Sequence, residues 1–149
     1  MSIRVEPLSE ADYEQVLPLI AGYQRFYKAE PDEERNRGFF RRFLGPSEDG
    51  LLLGAWKEDE LVGFATLYWT FSSTHGTEAA LMNDLFVAEG KRGHGIGEAL
   101  IEASAAAARE RGMRHLEWLT AVDNERAQRL YDRLGAERSA WYGYELPVD

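Results

Sequence analysis

The sequence predicts an α/β fold of the α+β kind, one domain over residues 1–149 with the element order βααβββαβαβ, closing on one strand or a strand pair. Three observations carry that expectation. Apolar runs of strand length cluster mid-chain, stretches with apolar residues at helical spacing flank them, and glycine or proline stands near most boundaries. The chain of 149 residues has no internal repeat or low-complexity tract to divide it.

The opening Ile3-Arg4-Val5-Glu6-Pro7-Leu8 alternates apolar and charged side chains, as an edge strand ended by proline does. Ser9 stands as an N-cap with Asp12 three residues later. Val16, Leu17, Ile20 and Tyr23 then recur at helical spacing, with Pro18 placed to kink the helix. Pro31 and Asp32 open a second, charged helix that carries Phe39, Phe40, Phe43 and Leu44 and is halted by Gly45-Pro46. Residues 51–56 and 61–69 are apolar strands joined by Lys57-Glu58-Asp59-Glu60, the pattern of a hairpin. Past a polar connection at residues 72–76, residues 79–87 form a third strand interrupted by Asn83-Asp84. That polar pair fits either a bulge or a pocket beside reacting atoms.

Residues 95–111 form a helix with Ile96, Leu100, Ala103 and Ala107 along one stripe, stopped at Gly112. Residues 115–119 give a short strand. Asp123-Asn124 then opens a helix carrying Ala127, Leu130, Tyr131 and Leu134, which Gly135 ends. The aromatic stretch at residues 141–146 supplies a final strand, whose surface a second subunit would cover.

Hydrophobic residues at 44% supply a core, and charged residues at 29% keep the chain dissolved. The absence of cysteine excludes disulfides, thiolate zinc sites and a cysteine nucleophile, and it suits a reducing compartment. With no signal-like N-terminus and no apolar run of membrane-spanning length, the expected location is the cytoplasm, away from the membrane. A net charge of -9 argues against nucleic acid, which attracts cationic surfaces. It suits a cationic small molecule, or solubility alone.

The chemistry concentrates in Arg92-Gly93-His94-Gly95-Ile96-Gly97, between a strand and a helix. Glycines there allow a tight turn whose main-chain N–H groups can face a pyrophosphate. The spacing of Gly93, Gly95 and Gly97, after a late strand, differs from the dinucleotide pattern. Together with the preceding Asp84-Leu85-Phe86-Val87, the run Arg92-x-x-Gly95-x-Gly97 resembles the coenzyme A motif of GNAT N-acetyltransferases. A second block, Asp123-Asn124-x-x-Ala127-x-x-Leu130-Tyr131-x-x-Leu134-Gly135-Ala136, resembles the family's later motif, in the expected order.

The resemblance covers residues 81–136 and implies the GNAT fold, a central mixed, mostly antiparallel twisted sheet flanked by helices. It implies acetyl-coenzyme A as co-substrate, direct transfer to a primary amine in a ternary complex, no metal, and a homodimer of the kind common among small-amine relatives. The main chain of Leu85, Phe86 and Val87 would pair with the pantetheine arm, and an N–H near Val87 would stabilise the oxyanion. Arg92, Gly93, His94, Gly95, Ile96, Gly97 and Glu98 would hold the pyrophosphate, with Lys91 adding charge. Asn124 would contact the cofactor or a water, or simply cap its helix. Tyr131 would protonate the departing thiolate, a step uphill by roughly 2 kcal/mol for groups of pKa ~10 and ~8.5.

The acceptor needs the opposite help, since only about one alkylammonium in two thousand is neutral at pH 7. Where polyamine-acetylating relatives carry glutamate, this chain has Asn83, so Asp84 is the nearest base; Glu117 is more simply a surface residue. Tyr23, Phe26 and Tyr27 would line the acceptor site with Glu30, or belong to the core. His75, His94 and His115 lack the spacing of a zinc helix motif. The expected acceptor is a diamine, polyamine or basic amino acid. The alternatives are a protein lysine or N-terminus, or a noncatalytic acyl-coenzyme A sensor.

Overall fold

The computed structural model describes residues 2–45 and 47–149. Pro46, expected to help halt the second helix, lies outside them. Residues up to Trp118 form one compact unit and Leu119–Asp149 a second.

The first unit is built on a five-stranded sheet in the order β1-β2-β3-β4-β5. Strands β1 (Ile3–Pro7), β2 (Gly50–Lys57), β3 (Glu60–Ser72) and β4 (Thr77–Val87) run antiparallel, and β5 (Leu116–Glu117) adds parallel to β4. The sheet is thus mixed and mostly antiparallel, and β1 lies on its edge, where Pro7 leaves no ladder donor missing. The predicted hairpin closes between Lys57 and Glu60, with Glu58 at φ 60°.

Helix α1 (Tyr13–Phe26) follows a 3₁₀ turn at Glu10–Asp12, tied at its start by Asp12, whose carboxylate accepts from the Ser9 N–H at 3.1 Å and hydroxyl at 2.9 Å. Its buried side is Tyr13, Val16, Leu17 and Ile20. Pro18 is exposed, so the Glu14 carbonyl that loses its helical donor faces water. Helix α2 (Glu33–Phe40) is shorter than predicted. Asp32 caps it by accepting from the Arg35 N–H at 3.0 Å, and a 3₁₀ turn at Arg41–Phe43 follows. Phe40 and Phe43 join the buried face of α1 and Leu52, Trp56, Leu61 and Phe64 of the sheet in one core.

Helix α3 (Ile96–Glu110) covers the opposite face. A Cβ on Gly63, the neighbour of Phe64, would meet Leu100 and Ile96 of α3 at 3.3 and 3.4 Å. The buried stripe is Ile96, Leu100, Ile101, Ser104 and Ala108. The predicted Ile96 and Leu100 belong to it, whereas Ala103 and Ala107 only flank it, one residue before Ser104 and Ala108.

The second unit contains α4 (Glu125–Arg133), capped by Asn124, whose side chain accepts from the Ala127 N–H at 3.3 Å. The closing strand expected at residues 141–146 does not form. Trp141, Tyr142, Tyr144 and Leu146 are 82–96% exposed, and no strand within this unit offers them a ladder. Among the described residues, no helix is long and apolar enough to cross a membrane.

Candidate active site

The polar interruption in β4 is a β-bulge. Thr66 on β3 pairs with Asp84, but the next residue, Leu67, pairs with Met82, which leaves Asn83 without a partner. The extra residue reverses the phase of the strand beyond it. Ala88 donates its N–H to the Val62 carbonyl at 2.8 Å, so by alternation the main chain of Asp84 and Phe86 faces β3 and that of Leu85 and Val87 faces away. Strand β5 pairs with β4 only at Ala80 and Leu81. The amide and carbonyl groups of Leu85 and Val87 therefore lie on an edge that no strand occupies among the described residues. The Phe86 main chain is committed to β3, where a Cβ on Gly63 would stand 2.8 Å from its carbonyl oxygen.

The bulge also sends Asp84 inward. It is 3% exposed, and burial pushes its carboxyl above the usual range, while Thr66, Tyr23 and Asn83 pull the other way as hydrogen-bonding neighbours. Asn83 donates from Nδ2 to Asp84 Oδ1 at 3.0 Å, whereas the buried Thr66 hydroxyl makes no bond of good geometry. Three phenols face this acid. Tyr68 is pushed up to about 12 by its burial and then by the Asp84 charge, and the same two causes raise Tyr23 and Tyr27. The result is a buried carboxyl group among neutral hydroxyls.

An aromatic wall stands beside it. Ring centroids lie 5.0 Å apart for Tyr23 and Tyr27, 5.1 Å for Phe26 and Tyr27, and 6.2 Å for Tyr23 and Phe86. The Arg92 guanidinium closes the circuit over Phe26 and Phe86, at 5.4 and 5.6 Å from their centroids. Arg92 Nε also donates to the Val87 carbonyl at 3.1 Å. Sequence reasoning named Tyr23, Tyr27, Asn83 and Asp84 but missed Thr66 and Tyr68, which only the β3–β4 register brings to the group. Glu30 is exposed in the turn after α1 and is not among the groups that shift Asp84; Glu117 is exposed on β5.

The glycine-rich turn takes the conformation its composition suggests. Gly93 has φ 86° and Gly95 φ 79°, both in the left-handed region, and Gly95 is the N-cap of α3. No side chain caps this helix. The first helical bond runs from the Ala99 N–H to the Gly95 carbonyl at 3.0 Å, so the N–H groups of Ile96 and Gly97 lie at the positive end of the helix. His94 is exposed, Glu98 is half-buried, and Lys91 pairs with Glu60 at 3.1 Å. His75 and His115 stack with centroids 3.7 Å apart, a contact their separation in sequence hid. In the second unit, Tyr131 is half-buried on α4.

A bulged strand with one unpaired edge therefore leads into a glycine-rich turn at a helix start. The chain belongs to the acetyltransferase (GNAT) family, whose model matches residues 14–136. It is 32% identical over 142 residues to the uncharacterized N-acetyltransferase YhfO of Bacillus subtilis, covering 95% of this chain and 93% of that one. It is 34% identical over 134 residues to the D-amino-acid N-acetyltransferase HPA3 of Saccharomyces cerevisiae, at 89% and 83% coverage. The solved structure of AAC(6')-Iy with a coenzyme A bisubstrate analogue shares the fold, with a TM-score of 0.85 at 16% identity over the whole of both chains. The protein is accordingly an acyltransferase, from a family that uses acetyl-coenzyme A.

Proposed function

We propose that this chain transfers the acetyl group of acetyl-coenzyme A to a primary amine of a small molecule, with Asp84 as the acceptor's proton-accepting group and Tyr131 as the thiolate's proton donor. The observation that carries this reading is the β4 bulge, which buries Asp84 and in the same stroke turns Leu85 and Val87 to an open edge. Those two residues offer a ladder to the amide-bearing pantetheine arm. The pyrophosphate sits on the N–H groups of Ile96 and Gly97 at the helix start, with Arg92, Gly93, His94 and Gly95 wrapping it, and Glu98 and Asn124 beside the cofactor.

With the donor on that edge, an ammonium loses its proton to Asp84, directly or through water. The free amine attacks the thioester carbonyl, and the outward Val87 N–H stabilises the oxyanion that develops. Carbon–sulfur cleavage then releases the thiolate, which takes the Tyr131 proton, and the second proton leaves the nitrogen as the amide forms and passes through water to restore the phenol. Tyr27 and Asn83 border the acceptor, and Glu30 lies at the outer rim. The unbroken family match from residue 14 to 136 supports reading the chain as one domain. The cysteine-free composition suits the cytoplasm, and the exposed aromatic tail supports a homodimer.

The test is a panel of acceptors with acetyl-coenzyme A, followed by thiol release: putrescine, spermidine, L-lysine, D-amino acids (the class in HPA3's name), kanamycin and a lysine-containing peptide. The expected result is fast release with one or more small amines and slow release with the peptide. No release above hydrolysis with any of them overturns the reading.

A further inference from the structure

Tyr23 sits on α1, far in sequence from β4, yet its phenol donates to the main-chain oxygen of Asn83, the unpaired residue of the bulge, at 3.2 Å. Its ring is wedged edge-on against Phe64, which is fully buried, at 5.9 Å and against Phe86 at 6.2 Å. The preceding residue, Gly22, brings α1 so near the strand that a Cβ there would stand 3.3 Å from the tip of the Phe86 ring. A bulge has one carbonyl that the ladder does not use, and a bulge without a partner for it is free to slip by a residue. Here a slip would exchange the faces of Asp84, Leu85 and Val87 together.

We propose that Tyr23 is a positioning residue: by holding the Asn83 carbonyl it fixes the bulge in the register that turns Asp84 inward and Leu85 and Val87 outward. This rests on the acetyl-transfer reading for its consequence, since one hydroxyl on the acceptor-side helix then sets the geometry of both the proton acceptor and the donor-binding edge. The titratable groups facing Asp84 are Tyr23 of α1, Tyr27 just past its end and Tyr68 of β3.

The test compares the full-length wild type with Tyr23→Phe, which keeps the ring and removes only the hydroxyl. Tyr13→Phe serves as the control: Tyr13 also donates to main-chain carbonyls, those of Asn36 and Arg37, but lies outside the site. Asp84 is titrated in aspartate-labelled protein by carboxyl carbon resonance, assigned with Asp84→Asn, and acetyl-coenzyme A affinity is measured by calorimetry. In Tyr23→Phe the Asp84 titration moves, because a bulge free to slip changes the burial of its carboxyl. Affinity for acetyl-coenzyme A falls about tenfold, because the outward edge loosens. Tyr13→Phe lowers the melting temperature and moves neither. An unchanged Asp84 titration in Tyr23→Phe overturns the proposal. Failure of the wild type to bind acetyl-coenzyme A overturns the functional reading instead, and the titration still decides the role of Tyr23.

Discussion

Asp84 concentrates the opposing demands on this chain. Burial without a cation raises its carboxyl, so the native state holds the proton more tightly than the unfolded chain does. Between the ordinary carboxylate value and the raised one, the folded form binds more protons, so stability falls as pH rises through that window. Above it the cost is fully present. Asp84→Asn removes that cost, and the expected outcome at neutral pH is a higher melting temperature together with a fall in kcat/KM of about a hundredfold. A scan and a kinetic assay on one preparation check both, and lower stability with intact turnover contradicts the assignment. Tyr131→Phe has a different expected pattern: kcat falls at least about tenfold while acetyl-coenzyme A affinity stays near wild type, because only the leaving-group proton is lost.

At the scale of elements, the bulge in β4 and the turn before α3 do most to make a site. Gly95 stands at φ 79° with nothing within 4 Å of an added Cβ, so a side chain there meets no protein atom and only strains the backbone. Gly90, at φ 85° and equally open, carries the same strain outside the anion-facing run. Valine at either position should cost about 1–2 kcal/mol of stability. Only Gly95→Val should also weaken acetyl-coenzyme A binding, by at least about tenfold in calorimetry. Equal affinities in the two variants would show that the phosphates lie elsewhere.

These elements were legible in sequence to different degrees. The glycine spacing and the helix after it could be read directly, because φ > 0 and capping are local demands. The pair Asn83-Asp84 announced that β4 was irregular, but bulge and pocket stayed alternatives, since register belongs to two strands. The same gap hid Thr66 and Tyr68, which look like ordinary strand residues until β3 is set beside β4. On α3 the expected Ile96 and Leu100 are buried, but Ala103 and Ala107 stand one residue before the buried Ser104 and Ala108, because a run of small residues does not say which of them faces the sheet.

For the molecule as a whole, family membership fixes the acyl-transfer chemistry, while the acceptor rests on one buried carboxylate and the rings around it. The expected strand at residues 141–146 failed because alternation supplies a strand's side chains but not its partner. Binding of the donor should stabilise the whole chain. At acetyl-coenzyme A concentrations a hundredfold above Kd, linkage gives about 2.7 kcal/mol, a rise in melting temperature of roughly 5–10 °C for a protein of this size. Coenzyme A lacking its pantetheine arm should give a smaller rise in the same scan.

The central claim is that the donor lies along the edge of β4 that the bulge exposes. Amide hydrogen exchange, followed residue by residue with and without saturating acetyl-coenzyme A, tests it most directly. The N–H groups of Leu85 and Val87 should become strongly protected on binding, while that of Phe86, already in the β3 ladder, should change little. Unaltered exchange at Leu85 and Val87 in the saturated protein would contradict it.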